Sequence, residues 1–389
     1  MTEPRQLSLH QRRRLGWREW LLAGCVLLAS DALAAQLMLW AMSALDVTRR
    51  AERLERRYRV PSEVYHHDLT KRFDGIGAWG PLRYRVRTNS LGFRDASRRI
   101  VPLRSEQARV LLIGDSFTEG VGLEYERTYA GIIARRLAKE GVEVLNASAA
   151  SYSPAIYYSK VRYLLESIGL QFAEVVVFID VSDIEDEAKT YVLHPDGRVT
   201  MKTQQPRDSL QVPGASASSL GKLKKFLKRH SILVRSVDLM KDWLQGENQL
   251  QDEDRLLIDN PRSLWTVRGS LFEAYGRTGL EYAGRHMNLL ATLLHQYDIP
   301  LTVAVYPWPD QVMYDSAGSI QMAYWREWAA HAGAQFIDLF RPFFRSSDRE
   351  ATIRAYYLRG DLHFNARGSM VMASTFLGTY RRRTEGGPR

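Results

Sequence analysis

Thiols are nearly missing from this chain: of its 389 residues one is cysteine, Cys25, and it lies inside an apolar run. A disulfide scaffold and a thiolate zinc site are thereby excluded, and everything after Cys25 can sit in an oxidising compartment without mispairing. Nucleic-acid signatures are missing as well. There is no zinc-finger spacing, no RNA-binding aromatic motif and no basic helix carrying a heptad zipper, so the net charge of +10 is read without a nucleic-acid partner. It favours other negative surroundings, such as anionic lipid headgroups or an acidic polysaccharide. No internal repeat is visible. With 45% apolar and 25% charged residues, the chain reads as folded rather than disordered.

One long apolar run is present. Residues 21–45 supply the roughly 20 residues needed to cross a bilayer, with Trp17, Trp20 and Trp40 near the ends, where aromatic belts sit. The run reads as an uncleaved transmembrane helix. A signal peptide would have a shorter apolar core and a small-residue cleavage site, of which Trp40-Ala-Met-Ser-Ala-Leu45 is a weak version. Asp31 is expensive in lipid and reads as a contact to a membrane-protein partner, a local water defect or a tolerated single acid. Five arginines precede the helix (Arg5, Arg12, Arg13, Arg14, Arg18) and six follow it (Arg49, Arg50, Arg53, Arg56, Arg57, Arg59), so the charge rule gives nearly a tie for orientation.

The remainder divides into a connecting region at 46–105, a main domain at 106–380 and a basic tail at 381–389 expected to be disordered. Short β-branched runs at Val110–Ile113, Val142–Leu145, Val175–Ile179, Leu301–Tyr306 and Gln335–Ile337 are strand candidates. Segments with 3.6-residue apolar spacing separate them, at Tyr129–Lys139, Ala155–Ser167, Phe272–Tyr297, Ile320–Ala332 and Gly368–Tyr380. That alternation predicts an α/β fold with a parallel sheet. Two regions break the rhythm. The connecting region contains Arg85-Val-Arg-Thr-Asn-Ser-Leu-Gly-Phe-Arg94, an extended piece turning at Gly92. A helical insertion at about 189–263 contains a basic amphipathic stretch, Leu223–Leu244, which reads as a membrane-surface or partner helix or as a lid.

Two blocks carry chemistry. Ile113-Gly-Asp-Ser-Phe-Thr-Glu-Gly120 follows the first core strand and precedes a helical segment, which puts Ser116 in a tight turn at a strand's carboxyl end, where open α/β sheets bind ligands. A serine hydroxyl needs a base to become a nucleophile. Gly360-Asp-Leu-His-Phe-Asn-Ala-Arg-Gly368 offers one: His363 can take the serine proton, and Asp361, two residues earlier, can fix its tautomer. Of the nine histidines only His363 has this setting; His286, His295 and His331 read as surface or boundary residues, and His66 and His67 have no assigned partner.

The first block resembles the GDSL signature of SGNH hydrolases. The last resembles the paired acid and histidine of that superfamily, in the Asp-x-His spacing of bacterial polysaccharide O-acetylation proteins. The resemblance runs from Arg109 to Tyr380 in strand order, and Asn89-Ser-Leu-Gly-Phe-Arg94 and Val305-Tyr-Pro-Trp-Pro309 look like parts of its membrane-anchored branch. It implies a three-layer SGNH-like, flavodoxin-like domain, a Ser116–His363–Asp361 triad, and neither cofactor nor metal. It also settles the expected orientation: a single-pass protein of the bacterial inner membrane, with its N-terminus inside and its catalytic domain periplasmic or otherwise extracytoplasmic.

Two middle blocks depart from the family pattern. Asn146-Ala-Ser-Ala-Ala-Ser151 places Ser151 where the family has an oxyanion-hole glycine, and Asp180-Val-Ser-Asp183 places Ser182 where it has an asparagine. The expected oxyanion hole is therefore the N–H groups of Ser116 and Ser151 together with the Ser182 hydroxyl, or another donor such as Asn89. The leading reading is ester hydrolysis or acetyl transfer on an acylated carbohydrate of the cell envelope or an exported polysaccharide. The alternatives are a lipase or lysophospholipase acting on an acylated lipid beside its own bilayer, and a non-catalytic carbohydrate-binding or assembly subunit.

Overall fold

The computed structural model describes residues 53–80, 82–202 and 256–386, with isolated positions before residue 53 and side chains to Tyr380. The chain divides into two compact units, 1–50 and 51–389; the sheets and their helices belong to the second. Apart from isolated positions, the expected membrane helix at 21–45 lies outside the described residues, as does the basic stretch at 223–244. Among the described residues no helix is long and apolar enough to cross a membrane.

The connecting region is more structured than its sequence suggested. It forms two antiparallel hairpins, β1 (Arg59–Ser62) with β2 (His66–Leu69), and β3 (Asp74–Trp79) with β4 (Leu82–Arg87). In β4 the alternation Leu82-Arg-Tyr-Arg-Val-Arg87 turns Tyr84 and Val86 inward and Arg83 and Arg85 outward, the period-two pattern of a half-buried strand. The expected turn at Gly92 is present: its φ is +85°, and a Cβ there would meet the Leu69 carbonyl oxygen at 2.6 Å. Asn89 builds that turn, its Oδ1 accepting from the N–H groups of Leu91 and Phe93 while its Nδ2 donates to Asp95. Asn89 is fully buried and serves this turn. Arg94, fully buried against the rings of Tyr84 and Tyr125, donates to the Leu123 carbonyl and ties this segment to the core.

The core follows as β5 (Arg109–Ile113), α1 (Ser116–Glu119), α2 (Tyr129–Ala138), β6 (Glu143–Asn146), α3 (Pro154–Arg162), β7 (Glu174–Ile179) and α4 (Asp183–Lys189). A hairpin of β8 (Tyr191–Leu193) and β9 (Val199–Met201) opens the region expected to be a helical insertion. The chain then continues through α5 (Arg277–Gln296), β10 (Leu301–Val305), α6 (Pro309–Tyr314), α7 (Ile320–His331), β11 (Gln335–Asp338), α8 (Arg349–Tyr356) and α9 (Ala366–Gly386). The last helix runs past the expected start of the tail at 381, through Arg and Glu residues that favour helix. Each core strand begins and ends within one residue of its expected bounds.

All five core strands are parallel, in the order β11-β10-β7-β5-β6. Read from the β6 edge and numbered along the chain, this is second, first, third, fourth, fifth, the flavodoxin-like doubly wound order. Every residue of β5, β7 and β10 is buried, as strands covered on both faces require. Right-handed crossovers put the β5–β6 helix α2 on one face and the helices between β6 and β11 on the other. α9 packs on α2, and α3 and α4 pack on α5. The direction of winding reverses at β5, so a crevice opens at the carboxyl ends of β5 and β7.

Candidate active site

Strand β5 delivers Ser116 to that crevice. At Gly114 a Cβ would lie 2.2 Å from Thr118 Oγ1 and 2.9 Å from the Phe178 carbonyl oxygen, so only glycine permits the sharp exit from the strand. Asp115 then caps α1, its Oδ1 accepting from Phe117 N–H at 3.0 Å, and Ser116 is the helix's first residue. At the other end of the domain, Asn365 fixes the loop before α9: its Nδ2 donates to the carbonyls of Ala355 and Tyr357, and its Oδ1 accepts from the N–H groups of Arg367 and Gly368. This places His363 over the nucleophile. His363 Nε2 lies 2.8 Å from Ser116 Oγ, and its Nδ1 lies 2.5 Å from Asp361 Oδ1, which also accepts the His363 backbone N–H at 2.8 Å. Serine, histidine and aspartate stand in one hydrogen-bonded line.

Trp79, at the tip of the β3–β4 hairpin, completes this line and was not anticipated from sequence. Its indole N–H donates to Asp361 Oδ2 at 2.9 Å, and its ring meets the His363 imidazole edge-on at 5.0 Å. Phe117 packs against the imidazole as well, tilted, at 4.5 Å. Burial pushes the Asp361 carboxyl up, but the His363 charge and the hydrogen bonds from His363 and Trp79 outweigh it and hold it below the usual aspartate value. Asp361 is thus kept as a carboxylate facing Nδ1.

No family model and no curated protein matches the chain. Among solved structures it is similar to Axe2, an acetylxylan esterase from Geobacillus stearothermophilus, at 12% identity and a TM-score of 0.37 over 72% of this chain and 95% of that one. It is similar to a member of the lipolytic G-D-S-L family from Veillonella parvula DSM 2008, at 14% identity and a TM-score of 0.36 over 71% and 99%. A third is the psychrotrophic esterase EstA from Pseudoalteromonas sp., at 10% identity and a TM-score of 0.34 over 72% and 99%. Of these three, one is a member of the G-D-S-L family and two are esterases.

Beneath the nucleophile lies a cluster of buried carboxyls. Asp115 Oδ2 is 3.1 Å from Ser116 Oγ, and its Oδ1 accepts from the Tyr306 hydroxyl at 2.9 Å. Burial, and then the charge and hydrogen bond of Asp180, push the Asp115 carboxyl well above the usual aspartate value. Burial likewise pushes Asp183 up, reinforced by Asp180 and Asp115; one of its oxygens accepts from the Tyr157 hydroxyl at 3.0 Å, and the other has no partner among the described residues.

The three expected oxyanion donors are placed differently. Ser116 N–H stands at the start of α1. Ser151 is exposed, in a turn after β6, and its φ of +65° is the left-handed conformation that costs a side chain roughly 1–2 kcal/mol and glycine almost nothing, which accounts for glycine at this place in the family pattern. The loop lies beside α1, since Asn146 Nδ2 donates to the Thr118 carbonyl and Ala150 N–H donates to Glu119 Oε2. Ser182 departs from expectation: its hydroxyl donates to Asp180 Oδ1 at 2.8 Å, the oxygen that also takes the N–H groups of Ser182 and Asp183. A hydroxyl has one proton, and this one is already committed.

Among the other histidines, His286 pairs with buried Glu187 at 2.6 Å, and His67 holds the Ala150 carbonyl at 2.7 Å, partners that sequence spacing did not reveal. No group of three metal-ligating side chains occurs among the described residues.

Proposed function

We propose that the protein is a serine esterase or acyltransferase acting on small acyl groups, chiefly acetyl, carried by a cell-envelope or exported polysaccharide. The observation that carries this reading is the line from Ser116 Oγ through His363 to Asp361, at 2.8 and 2.5 Å. His363 Nε2 takes the hydroxyl proton as Ser116 Oγ attacks the ester carbonyl carbon. The N–H groups of Ser116 and Ser151 receive the oxyanion of the tetrahedral intermediate. Collapse breaks the bond to the leaving alkoxide, which takes the proton from His363 and leaves an acyl-Ser116. Water or a sugar hydroxyl then attacks this ester, with His363 again as base.

A small acyl group suits the packing. Phe117 and Trp79 crowd the imidazole, Ser116 is 8% exposed and His363 3% exposed. The polysaccharide, the single-pass inner-membrane anchor at 21–45 and the extracytoplasmic placement of the domain are supported by the apolar run, the net charge of +10 and the absence of cysteine after Cys25. A non-catalytic assembly role gives no reason for Trp79 and Asp361 to orient an imidazole on a buried serine.

Fluorophosphonate labelling tests the reading without knowledge of the substrate: Ser116 is expected to be modified stoichiometrically, and an unlabelled folded protein would refute it. Turnover of p-nitrophenyl esters should fall with chain length beyond acetyl, whereas a rise would favour a lipase. An alkaline phosphatase fused after Arg389 should be active in a bacterial host; a silent fusion alongside a fluorescent cytoplasmic one reverses the orientation.

A further inference from the structure

The oxyanion loop has a weakness that its surroundings correct. Ala149 to Tyr152 form a β-turn closed by Tyr152 N–H on the Ala149 carbonyl at 3.2 Å, with the positive φ at its third residue, Ser151, as a type II turn requires. Type I and type II turns differ by a flip of the central peptide, here Ala150–Ser151. A non-glycine third residue favours type I. That flip would reverse the direction of Ser151 N–H, because in a planar trans peptide the N–H points opposite to the preceding carbonyl, and no described peptide is cis.

The β1–β2 hairpin holds this turn at two points, directly at the Ala150–Ser151 peptide and, through Glu119, at the peptide before it. His67 Nε2 lies 2.7 Å from Ala150 O; a carbonyl only accepts, so Nε2 carries the proton. His67 Nδ1 is then the acceptor of a neutral ring, and His66 Nδ1–H donates to it at 2.7 Å. Burial, with neighbouring cations, pushes His67 down to about 4, which keeps that tautomer pattern through the neutral range. On the other side, Ala150 N–H donates at 2.7 Å to buried Glu119, which Arg59 of β1 pairs at 2.8 Å.

We infer that His67 is a positioning residue for the oxyanion hole: by holding the Ala150 carbonyl it keeps the turn in its type II form and aims Ser151 N–H at the charge developing on the ester bound to Ser116. The inference rests on the esterase reading above. It assigns the upstream hairpin a role in transition-state stabilisation, with no contact between His67 and substrate. Hydrogen bonding to the Ala150 oxygen also polarises the peptide, strengthening its N–H as a donor.

The test measures kcat and KM for a small acetyl ester in wild type, His67→Ala and His67→Ala/Ser151→Gly, with Ser116 labelling as the control. Loss of one oxyanion donor lowers turnover by about a hundredfold to a thousandfold, and a donor that is only misaimed part of the time by about tenfold or more. His67→Ala should therefore lose at least about tenfold in kcat with KM little changed. Adding Ser151→Gly, which removes the cost of the left-handed conformation, should restore most of the loss, a rescue that a merely structural histidine would not show. A kcat within about threefold of wild type, a loss residing in KM, or no rescue would overturn the inference. If wild-type Ser116 is not labelled, the esterase reading itself falls. Should His67→Ala not fold, His67→Gln and His67→Asn replace it. The glutamine amide reaches the Ala150 oxygen and should retain activity, the asparagine amide falls short and should lose it, and equal activity of the two would overturn the inference.

Discussion

Replacing Trp79 by phenylalanine isolates one hydrogen bond in the catalytic line. The variant keeps an aromatic ring against the His363 imidazole, where the tryptophan sits edge-on at 5.0 Å, and deletes the N–H that donates to Asp361 Oδ2 at 2.9 Å. A hydrogen bond to a charged group contributes about 1.5–3 kcal/mol. The Asp361 side chain is 20% exposed, so water recovers part of that loss. About 1–2 kcal/mol remains, which lowers kcat/KM by about fivefold to thirtyfold. The direction in pH follows from the same bond. Asp361 is held below its usual value in spite of burial, and removing a donor lets it rise. With one donor fewer, Asp361 takes up a proton, and ceases to accept from His363 Nδ1, at a higher pH than in the wild type, so the acid limb of kcat/KM should move to higher pH. Hydrolysis of a small acetyl ester across that limb is the assay. Unchanged kcat/KM in Trp79→Phe, or a limb displaced to lower pH, would refute the assignment of Trp79 as the group that holds Asp361.

Ser116→Ala and His363→Ala should each abolish ester hydrolysis, and the double variant should be little worse than either, since the two act as a unit; additive losses would separate their roles. Ser182→Ala should leave turnover within about threefold of wild type, because its hydroxyl serves Asp180; a hundredfold loss would show that it turns to the oxyanion. Asp183→Asn should gain stability relative to wild type as pH rises. In the wild type the buried Asp183 carboxyl, raised in the folded state, retains a proton that the unfolded chain releases above about pH 3.9, so wild-type stability falls with rising pH while the variant lacks this dependence. Urea midpoints at a series of pH values measure the gap, and a gap independent of pH would refute the argument.

The parallel core was legible because a strand covered on both faces reads as an unbroken β-branched run, as Val175 to Ile179 does. Ser116 and His363 were legible because each lies in a block whose neighbours do local work: Gly114 and Asp115 build the turn, and Asn365 anchors the loop. The hairpins were harder to read. β4 alternates clearly, but its partner β3 carries Gly75 and Gly77, which erase the pattern. Trp79 meets Asp361 across 282 positions of sequence, a separation at which no periodicity operates. Ser182 was identified as a departure without its consequence being seen. The local competitor was in view: an aspartate two residues before a serine at a helix start takes the neighbouring N–H and O–H donors for itself.

The Ser182 hydroxyl and the buried carboxyls are parts of one arrangement. An ionised Asp115 so close to Ser116 Oγ would compete with His363 for the hydroxyl proton and oppose the oxyanion. Burial and Asp180 raise Asp115 and so favour its neutral form, and the donors gather instead on Asp180: Ser182 N–H, Ser182 Oγ–H and Asp183 N–H on one oxygen, and Trp308 Nε1–H on the other. Four donors suit a carboxylate one step farther from the nucleophile. Arg262, over the Trp308 ring and paired with Glu185 and Asp186, adds positive charge on that side. The Ser182 hydroxyl thus serves Asp180, its neighbour two residues earlier. On this reading the oxyanion is left to two backbone N–H groups, whose strength depends on aim rather than on charge. One of them lies in an exposed loop with a strained residue, so its aim has to come from outside the α/β core. The upstream hairpins supply what that core lacks: β1–β2 holds the Ala150–Ser151 peptide through His67, and β3–β4 holds Asp361 through Trp79.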